Sequence, residues 1–149
     1  MDVRPLMTLQ VTVGGPQRIG PGPHGTRLTA PITDGRFEGS RLRGRVLSGG
    51  GDWTILRGDG VLELDLRITL ETEDGALIHM TSLGLRHGPA DVIAALARGE
   101  RVAPSSYYFR TLPRFETGHP KYDFLNRLLA VSAGDRRPEG PIYTIDEIL

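Results

Sequence analysis

Residues 62–71 alternate apolar and polar side chains without a break, and no other part of the chain constrains the fold as strongly. The apolar members are Leu62, Leu64, Leu66, Ile68 and Leu70, and the polar members are Glu63, Asp65, Arg67, Thr69 and Glu71. Because successive side chains of a β-strand point to opposite faces of the sheet, this alternation predicts a long strand. Glycine-containing turn signals at residues 58–60 and 73–75 place it between two antiparallel hairpins.

Further strands are predicted wherever β-forming residues alternate between turn signals. They cover residues 6–13, 27–33, 41–47, 76–85, 105–117 and 141–149. Residues 124–133 fit a short helix or a strand, and we favour a turn followed by a strand. Asp34 and Gly35 predict a hairpin turn between the strands at 27–33 and 41–47. Eight of the twelve residues from 14 to 25 are Gly or Pro, and this density predicts an irregular loop.

The one helix that the sequence predicts covers residues 90–98. It begins just after Pro89, carries Asp91 in its first turn, has an apolar stripe, and is followed by Gly99 as a terminating residue. These eight strands are the clearest of a predicted total of about nine or ten, and with one short helix they predict an all-β, antiparallel barrel or sandwich. Nothing divides the chain, so residues 1–149 are predicted to form a single domain.

The composition excludes several classes of function. The 18 basic and 18 acidic residues cancel, which argues against a general nucleic-acid binder or a partner of anionic membranes. The absence of cysteine excludes disulfides and thiol catalysis, and no histidines lie at metal-ligand spacing, so we expect neither a metal nor another cofactor. The first residues contain no long apolar run, and we expect a cytoplasmic location.

Seventeen of the eighteen basic residues are arginine. The guanidinium group is a planar fork that suits carboxylates and carbonyl oxygens, so we expect some arginines to face a ligand or a buried acid and most to be solvated. Either face of the strand at 62–71 could line the interior of a barrel. Alternation alone favours the apolar face inside, because charges inside a barrel are costly unless they are paired.

Seven segments occur in the order typical of one known family. They are Gly51-Asp52-Trp53, residues 57–60, residues 63–67, residues 72–78, residues 84–89, residues 107–117 and residues 122–126. Together they resemble the family called domain of unknown function 3237, or uncharacterised protein family 0311, from about Leu6 to the C-terminus. Two positions depart from its pattern, because Ile68 stands where an aromatic is common and Phe124 where tryptophan is common.

The resemblance implies a small closed, calycin-like β-barrel and no established reaction. Its polar pattern positions fall on Asp52, Asp65, Arg67, Asp74, Tyr108, Arg110, Glu116 and Asn126, which fits a polar cavity better than a solvated surface. We therefore expect the charged face of the strand at 62–71 to look into an enclosed pocket.

The protein is predicted to be a β-barrel that binds a small molecule. Its predicted activity is that of a cofactor-independent lyase, isomerase or cyclase that acts by acid–base chemistry on a carbonyl-bearing or phenolic compound. Asp65 would be the general acid or base, Arg67 or Arg110 would hold a carboxylate or enolate oxygen, and Tyr108 would donate a proton or hydrogen bond. The predicted ligand-binding residues are Asp52, Trp53, Glu116 and Asn126.

Two other functions stay open at this stage. The same residues could bind an acidic or aromatic molecule without converting it. We expect the chain to form a homo-oligomer, and a purely structural oligomer whose apolar outer strand faces form an interface is the other open function. A lone tryptophan such as Trp53 is more often a packed residue than the wall of a ligand site.

Overall fold

The computed structural model describes residues 1–149, whose sheet closes into an antiparallel β-barrel of eight strand positions. The strands are β1 (Val3–Val13), β2 (Gln17–Gly22), β3 (Gly25–Glu38), β4 (Arg43–Val46), β5 (Gly50–Leu56), β6 (Leu62–Thr72), β7 (Leu77–His87), β8 (Tyr108–Glu116), β9 (Ala130–Asp135) and β10 (Ile142–Ile148). One α-helix, α1 (Ala90–Ala97), and two 3₁₀ helices, Pro104–Ser106 and Pro120–Arg127, complete the chain. None of the helices has the length and apolar character needed to cross a membrane.

The barrel closes because β1 pairs with β10 on one side and with β3 on the other. From β10 the ladder continues through β9, β8, β7 and β6. The short strands β4 and β5 share the position between β6 and β3. The edge strand β2 extends the sheet beyond β1 along β3. Closure leaves few free edges, which removes a common route to aggregation.

The apolar face of β6 points into the barrel. Leu64, Leu66, Ile68 and Leu70 are buried and belong to a core of 24 buried residues. The expectation that the charged face of β6 looks into an enclosed pocket is therefore wrong. The interior of an eight-stranded barrel is filled by side chains, and burying leucines is favourable whereas burying unpaired charges is not.

Two local predictions in the first third of the chain are wrong. Asp34 and Gly35 do not form a hairpin, because β3 runs through them to Glu38. Gly35 is needed there for close packing, since a Cβ atom would lie 2.3 Å from the Gln10 carbonyl oxygen of β1. The Gly/Pro-rich segment contains β2, whose one proline, Pro21, is tolerated because β2 is an edge strand.

Other predictions are confirmed. The fold is all-β and the barrel is closed, α1 begins at Ala90, and Gly99 follows it with φ +77°. The turns at 58–60 and 73–75 contain Gly60 and Gly75 with φ +85° and +87°. Residues 124–133 are divided between the second 3₁₀ helix and β9.

The two ends of the barrel differ in how they are closed. At one end, which we call the 3₁₀ end, the second 3₁₀ helix buries Tyr122 and Leu125 against the core. The Asp74 carboxylate is tied there by hydrogen bonds from Lys121 Nζ and Tyr122 Oη, both 2.8 Å long. The opposite end, which we call the helix end, lies where β7 finishes and α1 begins.

A buried ion cluster also belongs to the 3₁₀ end. Glu147, the last inward residue of β10, forms ion pairs with Arg4 and Arg41. Burial alone would raise the pKa of Glu147, but the bonds from Arg41 and Arg4 outweigh it and the pKa is lowered. This end of the barrel therefore has its buried charge paired.

Gly134→Ala is expected to lower the free energy of unfolding by about 1–3 kcal/mol, the usual cost of overpacking a core. The new Cβ atom would lie 2.7 Å from three atoms of the buried Phe109 ring. Gly58→Ala is the control, because no atom lies within 4 Å of a Cβ atom there. Urea unfolding followed by circular dichroism measures both, and equal midpoints would contradict the packing described here.

Candidate functional site

The helix end of the barrel contains a group of polar side chains that we call the interior cluster. Its members are Asp52 of β5, Arg86 of β7, Tyr143 of β10, and Tyr107 and Arg136 beside β8 and β9. Asp52, Tyr107 and Tyr143 are buried, whereas Arg86 and Arg136 are only partly buried. The cluster is therefore closest to solvent at its two guanidinium groups.

Asp52 occupies an interruption in the ladder between β5 and β6. The strands pair at Asp52 with Leu66 and again at Ile55 with Glu63, but not at the two positions between them. The Asp65 N–H group donates instead to Asp52 Oδ1, at 2.9 Å. This bond satisfies a backbone donor that the interrupted ladder leaves free and fixes the carboxylate inside the barrel.

Burial raises the pKa of Asp52 from 3.8 to about 6. The hydrogen bond from the Asp65 N–H and the charge of Arg86 lower this pKa, whereas the charge of Asp65 adds to the increase. The loss of hydration is the largest of these effects, since the residue is only 8% exposed. An acid with a pKa near 6 can both take up and release a proton near neutral pH.

Arg86 and Tyr143 are positioned by the ring of Phe109. The Arg86 guanidinium lies over this ring, 5.7 Å from its centroid. The Tyr143 ring meets Phe109 edge-on, with centroids 5.5 Å apart and planes 83° apart. Gly134, the inward residue of β9, leaves room for Phe109, since a Cβ atom would collide with the ring.

The pKa values of these two residues are also displaced. Burial lowers the pKa of Arg86, and the charge of Arg136 lowers it further. Burial raises the pKa of Tyr143 far above its ordinary value, and the charge of Asp52 adds to the increase. Arginine remains a cation at neutral pH in any case, so the site combines a cation with a neutral phenol and a titrating carboxyl group.

Tyr107 fixes the segment that carries Arg136. Its hydroxyl group accepts a hydrogen bond from the Arg136 N–H at 2.7 Å. Tyr107 also packs against Gly88, where a Cβ atom would lie 2.9 Å from the Tyr107 Cβ and 3.7 Å from Ile93 Cδ1 of α1. The helix α1 therefore covers the same end of the barrel, with Leu96 buried in the core.

Four polar groups in this interior have no hydrogen-bond partner in the protein. Asp52 Oδ2, the Arg86 guanidinium and the Tyr143 hydroxyl make none. Ser82 Oγ is 2% exposed as a residue and also has no partner. Ser82 Oγ is the one fully buried atom among them, and most buried polar groups in proteins are hydrogen-bonded, so this unpaired hydroxyl and the three other groups with free hydrogen-bonding capacity mark a candidate binding site.

The four predicted catalytic residues lie elsewhere, on the outer face of the barrel. The Arg67 side chain is 59% exposed and pairs with Asp65 across 3.1 Å. Trp53, predicted to bind ligand, is also on the outer face and 40% exposed, with Arg67 5.6 Å above its ring. The physical reason is the alternation itself, because burying the leucines of β6 turns Asp65 and Arg67 outward.

Tyr108 and Arg110 are brought together on β8, but also facing outward. The Arg110 guanidinium lies 5.6 Å from the Tyr108 ring centroid, and Tyr108 stacks on His87 at 4.8 Å. They line an outer groove of about 520 Å³ with Glu63 and Leu83. This groove is more apolar than the interior cluster, which makes it a surface for contact between two copies of the chain. The homo-oligomer expected from the sequence stays a prediction.

Glu116 and Asn126 are at the 3₁₀ end, far from the interior cluster. Glu116 is exposed on the outer face of β8. The Asn126 side chain accepts from the Thr117 N–H at 2.8 Å and donates to the Thr117 carbonyl at 2.9 Å. Asn126 thus ties the second 3₁₀ helix to the end of β8. Of the eight predicted site residues, Asp52 alone lies inside the barrel.

Arg86, Tyr143 and Ser82 were not predicted from the sequence as site residues. Ser82 and Arg86 lie on the same face of β7 as the buried Ile78 and Met80. This face is therefore apolar in the first half of the strand and polar toward the end of the strand. That change was a usable signal. The change was difficult to recognise because the other face of β7 is also apolar and carries Leu77, Leu83 and Leu85.

Asp52→Asn is expected to gain stability relative to the wild type as pH rises to about 6 and to keep that gain above it. The folded pKa is above the unfolded value, so ionisation costs the wild type stability as pH rises from about 4 to about 6. The unfolding free energy of the variant minus that of the wild type should rise across this window, by up to about 3 kcal/mol. The amide oxygen of Asn can still accept the Asp65 N–H bond.

Urea unfolding of both proteins between pH 4 and pH 8 tests this expectation. Taking the difference between them cancels the other titrating groups, including Glu147. A difference that is constant over the whole range, or that falls as pH rises, would show that Asp52 is not a buried acid of raised pKa.

Comparison with known proteins identifies relatives along the whole chain. A family model described as a protein of unknown function, DUF3237, matches residues 1–148. The UPF0311 protein RPA1785 of Rhodopseudomonas palustris is 34% identical over 149 residues, which cover 100% of this chain and 97% of that protein. The crystal structure of RPA1785 superposes with a TM-score of 0.96 over 99% of this chain and 97% of that one.

Two further solved structures have the same fold. A β-barrel-like protein from Acinetobacter baumannii is 39% identical, with a TM-score of 0.86 over 98% of this chain and 94% of that one. An enzyme from Penicillium herquei is 18% identical, with a TM-score of 0.74 over 99% of this chain and 94% of that one. The full-length family match and the identity to the UPF0311 proteins show that this chain belongs to the DUF3237 family.

Proposed function

We propose that the protein is a cofactor-independent enzyme that uses acid–base chemistry to rearrange or eliminate within a small carbonyl-bearing or phenolic compound. Asp52 takes the role that the sequence had suggested for Asp65. The observation that carries the proposal is a buried carboxyl group of raised pKa, with one oxygen unpaired, beside a cation and a neutral phenol. Such a combination is characteristic of catalytic sites.

The proposed reaction begins with a proton transfer to Asp52. The ionised carboxylate takes a proton from a carbon next to the carbonyl group, and the electron pair of the broken C–H bond moves into an enolate. The Arg86 guanidinium and the Tyr143 hydroxyl stabilise the negative oxygen. Buried in a site of low dielectric, these two groups act more strongly than they would in water.

The second half of the reaction returns the proton. Delivery from Asp52 to another carbon isomerises the substrate. In the lyase branch the enolate electrons form a carbon–carbon double bond, and the substituent β to the carbonyl departs with its bonding electrons and takes the proton from Asp52. Neither outcome needs an oxidant or reductant, because the substrate gains and loses no electrons overall. A phenolic substrate would give its hydroxyl proton to Asp52, and a carbon of the resulting phenolate would take the proton back.

The Penicillium herquei protein supports only the statement that a barrel of this fold can be an enzyme. The second candidate function is binding without turnover. It is favoured by the hydrogen bond from the Asp65 N–H, which gives the Asp52 carboxylate a structural task as well. A carboxylate that only holds the backbone would leave the bound molecule unchanged.

The test compares Asp52→Asn with Asp65→Asn, two substitutions that each remove one carboxylate from the same pair of strands. Wild-type protein is incubated with a panel of β-keto acids and phenols, and the spectra of the compounds are followed with time. We expect Asp52→Asn to lower kcat by about 100-fold or more, as loss of a general base does, and Asp65→Asn to keep most of the activity.

The pH profile provides a second criterion. The base must be ionised, so kcat/KM should fall as pH drops below about 6, in line with the raised pKa of Asp52. Full activity in Asp52→Asn, or loss confined to Asp65→Asn, would contradict the assignment. Ligand-dependent thermal stabilisation without any spectral change would favour the binding barrel.

A further inference from the structure

The interior cluster contains more positive than negative charge. Arg86 and Arg136 take part in none of the ten ion pairs of the chain. The next residue, Arg137, pairs with Asp135 at 2.8 Å. At the 3₁₀ end, by contrast, the buried Glu147 has two arginine partners. The chain therefore pairs its charges at one end and leaves two guanidinium groups with a single carboxyl group at the other.

The geometry of Arg86 suits an anion that reaches the interior cluster from the helix end of the barrel, where the two guanidinium groups are closest to solvent. Its guanidinium is held over the Phe109 ring at 5.7 Å and makes no hydrogen bond to the protein. The aromatic contact leaves the N–H groups at the edge of the guanidinium plane free. A planar fork of this kind matches the two oxygens of a carboxylate.

We propose that the interior cluster binds a small organic carboxylate, held by the Arg86 guanidinium with Arg136 as the second cation. This inference rests on the proposed function for its location, and it adds the chemical class of the bound molecule. The partial burial of Arg86 strengthens the attraction, because a buried cation without a partner is costly and an anion removes that cost. The Arg136 guanidinium already donates a hydrogen bond to the Arg137 carbonyl oxygen, so it contributes mainly its charge.

Two features favour an organic carboxylate over an inorganic anion such as phosphate. The ionised Asp52 would repel a dianion more strongly than a monoanion. The inward faces next to the cluster are apolar, with Leu64 and Leu66 of β6 and Leu9 of β1 all buried. A hydrocarbon or aromatic part of the ligand would find favourable surroundings there.

Isothermal titration calorimetry at pH 7 tests the proposal with three probes. Benzoate supplies the carboxylate, benzyl alcohol is its neutral counterpart, and inorganic phosphate is the alternative anion. The proteins are the wild type, Arg86→Gln, Arg136→Gln and the control Arg114→Gln, which changes an exposed arginine on the outer face of β8. Circular dichroism establishes that each variant is folded.

We expect benzoate to bind the wild type and Arg114→Gln equally, and benzyl alcohol and phosphate to bind at least about tenfold more weakly. Arg86→Gln should weaken benzoate binding by about tenfold or more, which is typical for loss of a charged hydrogen bond. Arg136→Gln should weaken it several-fold. Since Arg136 is outside the strands, this second variant keeps the test decisive if Arg86→Gln does not fold.

Three results would each overturn the proposal. They are no benzoate binding at millimolar concentration, equal binding of benzoate and benzyl alcohol or phosphate, and unchanged benzoate binding in both arginine variants. The outcome is separate from that of the proposed enzyme, because binding is measured directly. Benzoate binding in a protein that converts no carbonyl compound or phenol would support the carboxylate site and reject the catalytic role of Asp52.

Discussion

The hydrogen bond from the Asp65 N–H to Asp52 Oδ1 is the interaction on which the interior of this barrel depends. The bond forms where two ladder positions between β5 and β6 are missing. The strands can therefore separate there while the Asp65 N–H keeps a hydrogen-bond partner. The same bond keeps a carboxylate inside a barrel that otherwise contains mostly leucine, isoleucine and aromatic rings. Loss of hydration then raises its pKa to about 6. The Asp52 side chain thus satisfies a backbone donor and also supplies a carboxyl group that titrates near neutral pH.

The polar side chains at the two ends of the barrel differ in how many partners they have. At the 3₁₀ end, Asp74, Asn126 and Glu147 each have several hydrogen-bond or ion-pair partners. At the helix end, Arg86 and Tyr143 make no hydrogen bond to the protein. Satisfied networks stabilise and rigidify, whereas unpaired groups lose stability unless they meet a ligand or water. This contrast places the candidate site at the helix end and gives several family-pattern residues a structural role.

Much of the architecture could be predicted from local patterns. These patterns predicted the strand β6, the glycine turns that flank it and the short helix after Pro89, because all three depend on neighbouring residues alone. The candidate site was less accessible. Asp65 and Arg67 were predicted to be catalytic because they are charged residues close together on one face of β6. The structure turns that face outward, since the leucines on the other face have more to gain from burial.

The sequence by itself determined that the chain is an all-β domain with an amphipathic central strand and one helix, because side-chain periodicity and turn chemistry are local properties. Only the tertiary structure decided which residues share the interior. Arg86, Phe109 and Tyr143 meet through cross-strand register. Gly35 is set by the close approach of β1 rather than by a turn. Register and closure depend on how distant strands pack around one core, and no single stretch of sequence encodes that arrangement.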